Sequence, residues 1–245
     1  MQAVVIIPAR YGSTRFEGKA LASIAGKPMI QHVYERACRS ATARRVCLAT
    51  DDERIMEAAR KFGGEAVLTS ARQRSGTDRV AEAADLLGLD DHELVVNIQG
   101  DQPLFEPIQI DQVLGPLAED PDLPMSTLIH RITNPAEIDD PNIVKTVFDR
   151  AGSALYFSRA TIPHRRDSAG TVDYYKHHGI YGYRRHFLRT FSQWPTSTLE
   201  EIEKLEQLRA LDHGAVIRIV ISHLDSLEVD TPADARKVER ILNGR

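Results

Sequence analysis

The sequence has little cysteine, no long apolar run and no excess of basic residues, and each shortage excludes a class of protein. Only two of its 245 residues are cysteines, Cys38 and Cys47, which is too few for a disulfide framework or a cysteine-rich metal site. We expect both to be structural residues of the core. The formal net charge of -4 and the isoelectric point near 6.1 argue against nonspecific nucleic-acid binding, which usually requires a basic surface.

The chain also lacks the features of a secretion signal or a membrane anchor. The apolar run in MQAVVIIPAR is short and has no basic leader, and no run approaches the roughly 18–20 apolar residues that span a bilayer. We therefore expect a cytoplasmic protein without membrane insertion. No repeat, low-complexity tract or linker is present, which favours one domain over residues 1–245 with a lobe inserted around residues 125–200.

The first half of the chain alternates between apolar runs and segments with helical spacing. The runs that predict strands are AVVIIP, RRVCLATDD, EAVLTS and ELVVNIQGDQP. The helical segments between them indicate crossover helices and a parallel sheet. Right-handed crossovers place the loops after these strands at one edge of the sheet, where open sheets bind ligands. We expect the polar residues after Ile7, Thr50, Thr69 and Ile98 to meet there.

The second half predicts shorter strands and capped helices. Strands are indicated by MSTLIHRI, NIVKTVFDR, SALYFSRATIP and AVIRIVIS, and KHHGIYGYRRHFLRTF predicts a strand that runs into a helix. STLEEIEKLEQLRALDHG predicts a single helix with Ser197 or Thr198 as its N-cap. DTPADARKVERIL predicts a final helix with Asp230 or Thr231 as its cap.

A cationic loop follows the first strand, within the stretch Val4 to Ile30. It carries four cations among small residues: Arg10, Arg15, Lys19 and Lys27. Gly12, Ser13 and Gly18 allow backbone N–H groups to turn toward an anion, and arginine binds phosphate oxygens in forked pairs. The loop therefore predicts a site for the triphosphate of a nucleotide, although it is not a P-loop and lacks the dinucleotide fingerprint. The alternative is a solvated basic loop with surface ion pairs.

Two later motifs place aspartates at strand ends. In VNIQGDQP, Asp101 follows Gln99 and Gly100. A carboxylate there can hold Mg²⁺, which takes one or two protein carboxylates together with phosphate oxygens; the alternative is an ordinary turn. In LEVDTPAD, Asp230 is either a helix cap or, if it lies near Asp101, a second metal ligand.

Two further sets of residues have weaker signals. In RSGTDR, Ser75 and Gly76 stand at a helix start, where free N–H groups favour anions or polar base edges; the alternative is a plain cap at Thr77 or Asp78. The other set combines charged and polar residues of the second half, which are candidates for a second pocket or simply structural groups: Arg159, His177, His178, Tyr181, Glu206 and Gln207.

Taken together, the motifs resemble one family, the 3-deoxy-manno-octulosonate (Kdo) cytidylyltransferases. The segments that carry the resemblance are IPARYGSTRFEGKAL, ATDDERI, SGTDR, VNIQGDQP, ALYFSRATIP, HHGIYGYR, LEEIEKLEQLR and VDTPAD. The resemblance implies a Rossmann-like, mixed and mostly parallel sheet flanked by helices, as in nucleotide-diphospho-sugar transferases. It implies Mg²⁺-dependent transfer of CMP from CTP to the anomeric hydroxyl of an eight-carbon acidic sugar, for lipopolysaccharide synthesis. It also implies a homodimer whose lobe serves substrate binding and dimerisation, and no nucleic-acid partner.

The resemblance also assigns roles to individual residues. CTP would be held by Ala9, Arg10, Ser13 and Lys19, and its cytosine or ribose end by Ser75, Gly76 and Gln99. Mg²⁺ would be held by Asp101 and Asp230. The sugar acid would be held by Arg159, His177, Tyr181, Glu206 and Gln207, with Arg15 between the two substrates. Catalysis would depend on Lys19, Arg15 and Asp101.

The chain departs from the pattern of many relatives at several positions beside these motifs. Phe16-Glu17 stands where many have Leu-Pro, Ala20 where many have Pro, Gln73 where many have His and Gln102 where many have Glu. These departures leave open a Kdo analogue such as the 8-amino sugar. The remaining alternatives are another CTP-dependent sugar-acid cytidylyltransferase and a nucleotide-binding regulator without turnover.

Overall fold

A computed structural model of the chain describes residues 2–12, 16–167 and 171–244. Within these residues one nine-stranded sheet forms the centre of the molecule, and its main path runs β11-β7-β10-β6-β1-β4-β5. The strands are β1 Ala3–Ala9, β4 Ala43–Thr50, β5 Ala66–Leu68, β6 Leu94–Ile98, β7 Met125–Arg131, β8 Lys145–Phe148, β9 Ala154–Ser158, β10 Tyr175–Arg184 and β11 Ile217–Ile221. A separate two-residue hairpin is formed by β2 Ser23–Ile24 and β3 Lys27–Pro28.

Helices cover both faces of the sheet. They are α1 Met29–Ala37, α2 Glu53–Lys61, α3 Gly76–Leu86, α4 Ile108–Glu119, α5 Arg185–Gln193, α6 Thr198–Glu203, α7 Gln207–Asp212 and α8 Pro232–Leu242. Among the helices of the described part of the chain, none is long and apolar enough to cross a bilayer.

Strand β1 shows why the sheet is central. Every residue of β1 is buried. Val5 and Ile7 pack into the core on the side of α1 and α4, whereas Val4 and Ile6 pack into the core on the side of α3 and α5. Successive side chains of a strand point to opposite faces, so a continuous apolar run is what a strand buried on both faces requires.

The predicted mixed, mostly parallel sheet is confirmed. β1 pairs in parallel with β4 and β6, β4 with β5, and β7 with β11. β10 is the strand of the main path that runs against its neighbours β6 and β7. The carboxyl ends of β1, β4, β5 and β6 therefore lie at one edge, as the crossover rule predicts.

The segment that leaves the main path is narrower than the predicted lobe. β7 and β10, which the prediction included in the lobe near residues 125–200, are strands of the main sheet. Residues 132–167 and 171–174 form the extension, in which β9 pairs with β8 and β8 pairs with the start of β10. The prediction that this lobe serves dimerisation stays a prediction.

The single helix predicted over STLEEIEKLEQLRALDHG is wrong, because the structure divides it into α6 and α7. Ser197 caps α6, and Lys204 ends it with a left-handed φ of 56°. The break allows neighbouring glutamates to face different partners. Glu203 accepts hydrogen bonds from Ser158 Oγ at 2.6 Å and Arg159 N at 2.9 Å, while Glu206 turns toward α3.

Candidate active site

Two adjacent pockets lie at the carboxyl edge of the sheet. The first, of about 400 Å³, is lined by residues from the predicted strand ends, including Arg10, Asp51, Ser75 and Gln99. The second, of about 510 Å³, lies against the extension and α7. The expected meeting of the loops after β1, β4, β5 and β6 is therefore confirmed. Four side chains line both pockets and mark the seam between them: Gln99, Asp101, Glu206 and Asp230.

Gly100 makes this edge compact. A Cβ atom at Gly100 would lie 3.0 Å from the carbonyl oxygen of Pro8 and 2.9 Å from Ile30 Cδ1, closer than ordinary van der Waals contact. Glycine therefore allows the turn after β6 to pack against the end of β1. This contact places Asp101 beside Ala9 and Arg10, both of which line the first pocket. The predicted nucleotide ligands Ser13 and Arg15 lie outside the described residues.

One of the four predicted loop cations is not part of the site. The Lys27 ammonium donates to Glu35 Oε2 at 2.7 Å and Oε1 at 3.0 Å, which is a half-exposed surface pair. It lines neither pocket. For Lys27 the alternative interpretation, a cation in a surface ion pair, is therefore the correct one.

Lys19 joins the two aspartates of the seam. Its ammonium donates to Asp101 Oδ2 at 2.7 Å, to Asp230 Oδ1 at 3.3 Å and to the carbonyl oxygen of Val229 at 3.2 Å. Burial alone would lower the pKa of Lys19, but the two carboxylates outweigh burial and raise the pKa above its usual value. Lys19 is therefore a positively charged group fixed between two negative ones.

The arrangement of Asp101 and Asp230 fits a divalent cation. Their carboxylates converge on a single ammonium nitrogen, so they are close enough to act on one ion. Within the described residues no group of three or more histidine, cysteine or carboxylate side chains could hold a metal by itself. A divalent ion held by these two carboxylates would therefore need further ligands, such as the phosphate oxygens of a nucleotide.

The free backbone N–H groups at the start of α3 find side-chain acceptors in two parts of the chain. Ser75 Oγ accepts a hydrogen bond from the backbone N of Asp78 at 3.1 Å, so Ser75 is the N-cap. The Glu206 carboxylate accepts from the backbone N of Gly76 and of Thr77, each at 3.1 Å. Glu206 thereby brings α7 against the first pocket. The predicted contacts of Ser75 and Gly76 with a base or ribose stay predictions, and the N–H of Gly76 already has a partner.

A buried ion network fixes this junction. The Arg209 guanidinium donates to both carboxylate oxygens of Glu200, at 2.8 and 2.6 Å, and to Asp78 Oδ1 at 3.0 Å. All three side chains are buried. The network ties α7, which follows Glu206, to the first turn of α3. It therefore fixes the position of these two helices relative to each other beside the seam.

Sequence reasoning missed Arg79, a buried cation that lines the first pocket. Its guanidinium donates to Thr69 Oγ1 at 2.5 Å and to Asp51 Oδ2 at 3.0 Å. These contacts join the ends of β4 and β5 to α3. The motif RSGTDR contains Arg79, and its position one turn after a helix start at the edge of the sheet is the signal that could have identified it.

Glu228 was also missed. Its exposed side chain faces the second pocket, and Gln102 Nε2 donates to its Oε1 at 3.1 Å. Desolvation, followed by the negative charges of Asp101 and Asp230, raises the pKa of Glu228 to about 7. Glu228 lies in the segment LEVDTPAD, but within that segment the sequence indicated a role only for Asp230.

The second pocket contains the predicted sugar residues that the structure describes: Arg159, His177, Tyr181, Glu206 and Gln207. Arg159 donates through Nε to the carbonyl oxygen of Glu203 at 2.8 Å and through Nη1 to that of Pro141 at 2.9 Å. Gln207 is buried, and its Nε2 has no hydrogen-bond partner among the described residues. A buried amide donor in a pocket wall is suited to bind a ligand oxygen.

His177 lines the second pocket but does not carry a positive charge there. The ring packs against Phe157 and Tyr181, and Nε2 lies 3.0 Å from Thr127 Oγ1. Burial, and to a lesser degree His178, lowers the pKa of His177 to about 3. His177 is therefore a neutral hydrogen-bonding group, and the positive charge of this pocket comes from Arg159 and Lys204 rather than from histidine.

A buried lysine supports Arg159 from behind. The Lys145 ammonium donates to the carbonyl oxygens of Asp140 at 2.7 Å, Ile143 at 2.6 Å and Arg159 at 2.7 Å. Burial lowers the pKa of Lys145. The three bonds close the backbone around residues 140–143 onto the end of β9 and so fix where Arg159 enters the pocket.

Comparison with known proteins gives concordant matches. Residues 4–219 match the family model described as cytidylyltransferase. A 3-deoxy-manno-octulosonate cytidylyltransferase of Syntrophus aciditrophicus (strain SB) is 60% identical over 242 residues, which cover 99% of this chain and 98% of the relative. An 8-amino-3,8-dideoxy-manno-octulosonate cytidylyltransferase of Shewanella sp. (strain ANA-3) is 54% identical over 245 residues and 99% of each chain.

A solved structure agrees with these relatives. The structure of CMP:2-keto-3-deoxy-manno-octonic acid synthetase complexed with CTP matches with a TM-score of 0.92 and 44% identity. The match covers 100% of this chain and 99% of that one. It therefore includes both pockets and the seam as well as the sheet.

Proposed function

The chain belongs to the cytidylyltransferase family, and on this premise we propose that it transfers CMP from CTP to the anomeric hydroxyl of 3-deoxy-manno-octulosonate, releasing pyrophosphate. The relative that is 60% identical carries that activity in its name, and the structural neighbour was solved with CTP. The observation that carries the proposal is the seam. Asp101, Glu206, Asp230 and Gln99 line both pockets, so a nucleotide in one and a sugar acid in the other would meet at the aspartates.

The reaction forms one bond and breaks another. The anomeric oxygen attacks the α-phosphorus, the bond from that phosphorus to the bridging oxygen of the β-phosphate breaks, and pyrophosphate leaves. The hydroxyl proton is released to solvent. No covalent enzyme intermediate is required, because holding the oxygen in line with the phosphorus supplies most of what phosphoryl transfer needs.

Cations that line the two pockets offset the repulsion between two anionic substrates. Arg10 and Lys19 supply positive charge in the first pocket, and Arg159 and Lys204 supply it in the second. Fixed positive groups stabilise charge that builds up on the leaving pyrophosphate. Asp101 and Asp230 would hold Mg²⁺, which when bound offsets phosphate charge and polarises the phosphoryl oxygens. The buried Gln207 amide and the neutral His177 would hydrogen-bond the sugar acid.

Two further properties belong to the proposal. We expect a homodimer, because apolar side chains lie exposed on two elements joined by the Glu203–Ser158 bond: Leu155 on β9 is 60% exposed and Ile202 on α6 is 73% exposed. Light scattering coupled to size exclusion would measure it. We also propose that the enzyme works in the cytoplasm, for lipopolysaccharide synthesis.

The experiment that tests the activity is a pyrophosphate-release assay with CTP, UTP, GTP and ATP, each combined with Kdo and with sialic acid. We expect turnover with CTP and Kdo in the presence of Mg²⁺ and its loss after chelation. Turnover with sialic acid but not Kdo would identify a different sugar-acid cytidylyltransferase. Tight CTP binding without turnover of any pair would indicate a regulatory nucleotide-binding protein instead.

A second acceptor is a specific candidate. The Shewanella relative is named for the 8-amino sugar, which differs from Kdo by an amino group in place of one hydroxyl. An amino group is positively charged at neutral pH. Glu228, a carboxylate in the second pocket that the reaction above does not use, is the observation that favours this acceptor.

A further inference from the structure

We propose that Glu228 is a specificity-determining residue, which makes the second pocket favour a sugar acid that carries a positively charged amino group over the corresponding hydroxyl sugar. This inference rests on the proposed function, because it concerns the acceptor of the same reaction. The proposed function does not use Glu228 to bind the metal, the nucleotide or the sugar carboxylate.

The second pocket carries a surplus of carboxylates. Four carboxylates line it: Asp101, Glu206, Glu228 and Asp230. Asp101 and Asp230 converge on Lys19, and Glu206 caps the start of α3. Glu228 takes part in neither arrangement. A carboxylate that faces a pocket for an anionic substrate repels that substrate, so its presence is explained if the substrate also carries a positive group.

A hydrogen bond from Gln102 holds Glu228 in place. Gln102 is fully buried, and its amide nitrogen donates to Glu228 Oε1 at 3.1 Å. A glutamate at position 102 would set a second carboxylate against Glu228 and disfavour this geometry. Gln102 therefore permits Glu228 to face the pocket, and the two residues form one unit.

Glycine at position 179 leaves space beside Gln102 and Glu228. Gly179 lines the second pocket, and a Cβ atom there would lie 3.3 Å from Gln102 Nε2 and 3.9 Å from Glu228 Oε1. The first distance is tighter than most Cβ contacts and the second is an ordinary one, so a side chain here would press on Gln102 and extend beside Glu228. With glycine, a polar group of the ligand can reach the Glu228 carboxylate.

An ammonium group of the ligand would bind the Glu228 carboxylate more strongly than a hydroxyl group. Its hydrogen bond to the carboxylate is charge-assisted, and such bonds are about twice as strong as neutral ones. We therefore expect a preference of about tenfold or more for the amino sugar, the size of a single strong polar contact.

The test compares the parent protein with Glu228→Gln and with Glu201→Gln, a control on the exposed side of α6. Steady-state kcat/KM is measured with Kdo, with 8-amino-3,8-dideoxy-manno-octulosonate and with its neutral N-acetyl derivative. We expect the parent to prefer the amino sugar and the Glu228→Gln variant to lose about tenfold of that preference. The control should keep it, and acetylation should abolish the advantage in the parent.

A second variant and three further measurements keep the outcome interpretable. Gln102→Leu removes the donor that holds Glu228 and should weaken the preference in the same direction. CTP binding and the thermal unfolding midpoint show whether each variant is folded. Calorimetric binding of the two sugar acids tests the preference without turnover, so it remains decisive if the transfer reaction itself fails.

Three results would overturn the inference. One is an unchanged preference in folded Glu228→Gln protein. Another is a parent protein that prefers Kdo. The third is a higher Mg²⁺ requirement of Glu228→Gln that affects both sugars equally, which would assign Glu228 to the metal. Absence of turnover with both sugars would instead contradict the proposed function.

Discussion

The Lys19 ammonium lies 2.7 Å from Asp101 Oδ2 and 3.3 Å from Asp230 Oδ1, so a loop after the first strand and a segment near the end of the chain meet at one point. Lys19→Met removes the charge shared by the two carboxylates and one cation from the first pocket. We expect kcat/KM for CTP to fall by at least about 100-fold, the loss typical of a group that stabilises transition-state charge.

The control for this change is Lys27→Met, since the same loop supplies both lysines. Lys27 pairs with Glu35 on the surface and lines neither pocket, so its removal should change kcat/KM by less than about twofold, as for an ordinary surface pair. Equal losses in the two variants would mean that the loop acts through its total charge and not through the seam.

Arg209 is predicted to be a stability residue. Arg209→Met leaves the buried carboxylate of Glu200 without its cation and leaves Asp78 only its bond from Arg74 Nε at 2.9 Å. Breaking a buried ion network from one side typically costs about 3–5 kcal/mol, which urea unfolding would measure. Arg60→Met, which removes an exposed arginine 3.8 Å from Glu53, should cost less than about 1 kcal/mol; similar costs for the two would refute the network.

Two adjacent histidines predict a loss of stability in acid. Burial lowers the pKa of His177 to about 3. Burial also lowers the pKa of His178, and Asp225 opposes this effect while Lys176 and His130 add to it. Below the unfolded-state value of about 6.5 the unfolded chain binds these protons and the folded chain does not, so stability falls with falling pH, by up to about 1.4 kcal/mol per unit for each histidine.

Denaturant unfolding at pH 7.0, 6.0 and 5.0 measures this dependence. His178→Gln should flatten the slope of unfolding free energy against pH between these values. His92→Gln, a change at an exposed position, serves as the control and should leave the slope as in the parent. A slope that His178→Gln does not alter would show that other groups control the acid sensitivity.

Lys145 is predicted to position Arg159 rather than to contact substrate. Lys145→Met removes the three bonds that fix the backbone at Arg159. We expect KM for the sugar acid to rise about tenfold, as a misplaced binding group commonly causes, with KM for CTP unchanged. Lys61→Met, an exposed lysine of α2, is the control. An equal rise of both KM values would indicate a general loss of structure.

Much of the fold was predictable, because it depends on local periodicity. The apolar runs of β1, β4 and β6 and the helices between them indicated a parallel sheet, and the crossover rule then indicated which loops meet. α4 was not identified, since Gly115 and Pro116 interrupt its helical pattern. The break at Lys204 was missed for a different reason: it reflects contacts of Glu203 and Glu206 with distant parts of the chain.

The site was predictable where a motif carried it. Asp101 and Asp230 were recognised separately, but their convergence on Lys19 depends on how the end of the chain packs against β6. Glu228 lies in LEVDTPAD, but only the structure shows that it faces the second pocket beside Gln102. The roles of Glu228 and Lys145 depend on tertiary contacts, which local sequence patterns do not reveal.

The most direct test of the account is ³¹P NMR of CTP, Kdo and Mg²⁺ with the parent protein and with Asp101→Asn. We predict that the parent converts the α-phosphorus signal of CTP to that of a CMP–sugar phosphodiester, with pyrophosphate appearing in equal amount. Asp101→Asn should slow this conversion by several orders of magnitude, because a ligand of the metal stabilises several kcal/mol of developing charge. Conversion by Asp101→Asn at a near-parental rate would contradict the assignment of the seam as the reacting centre.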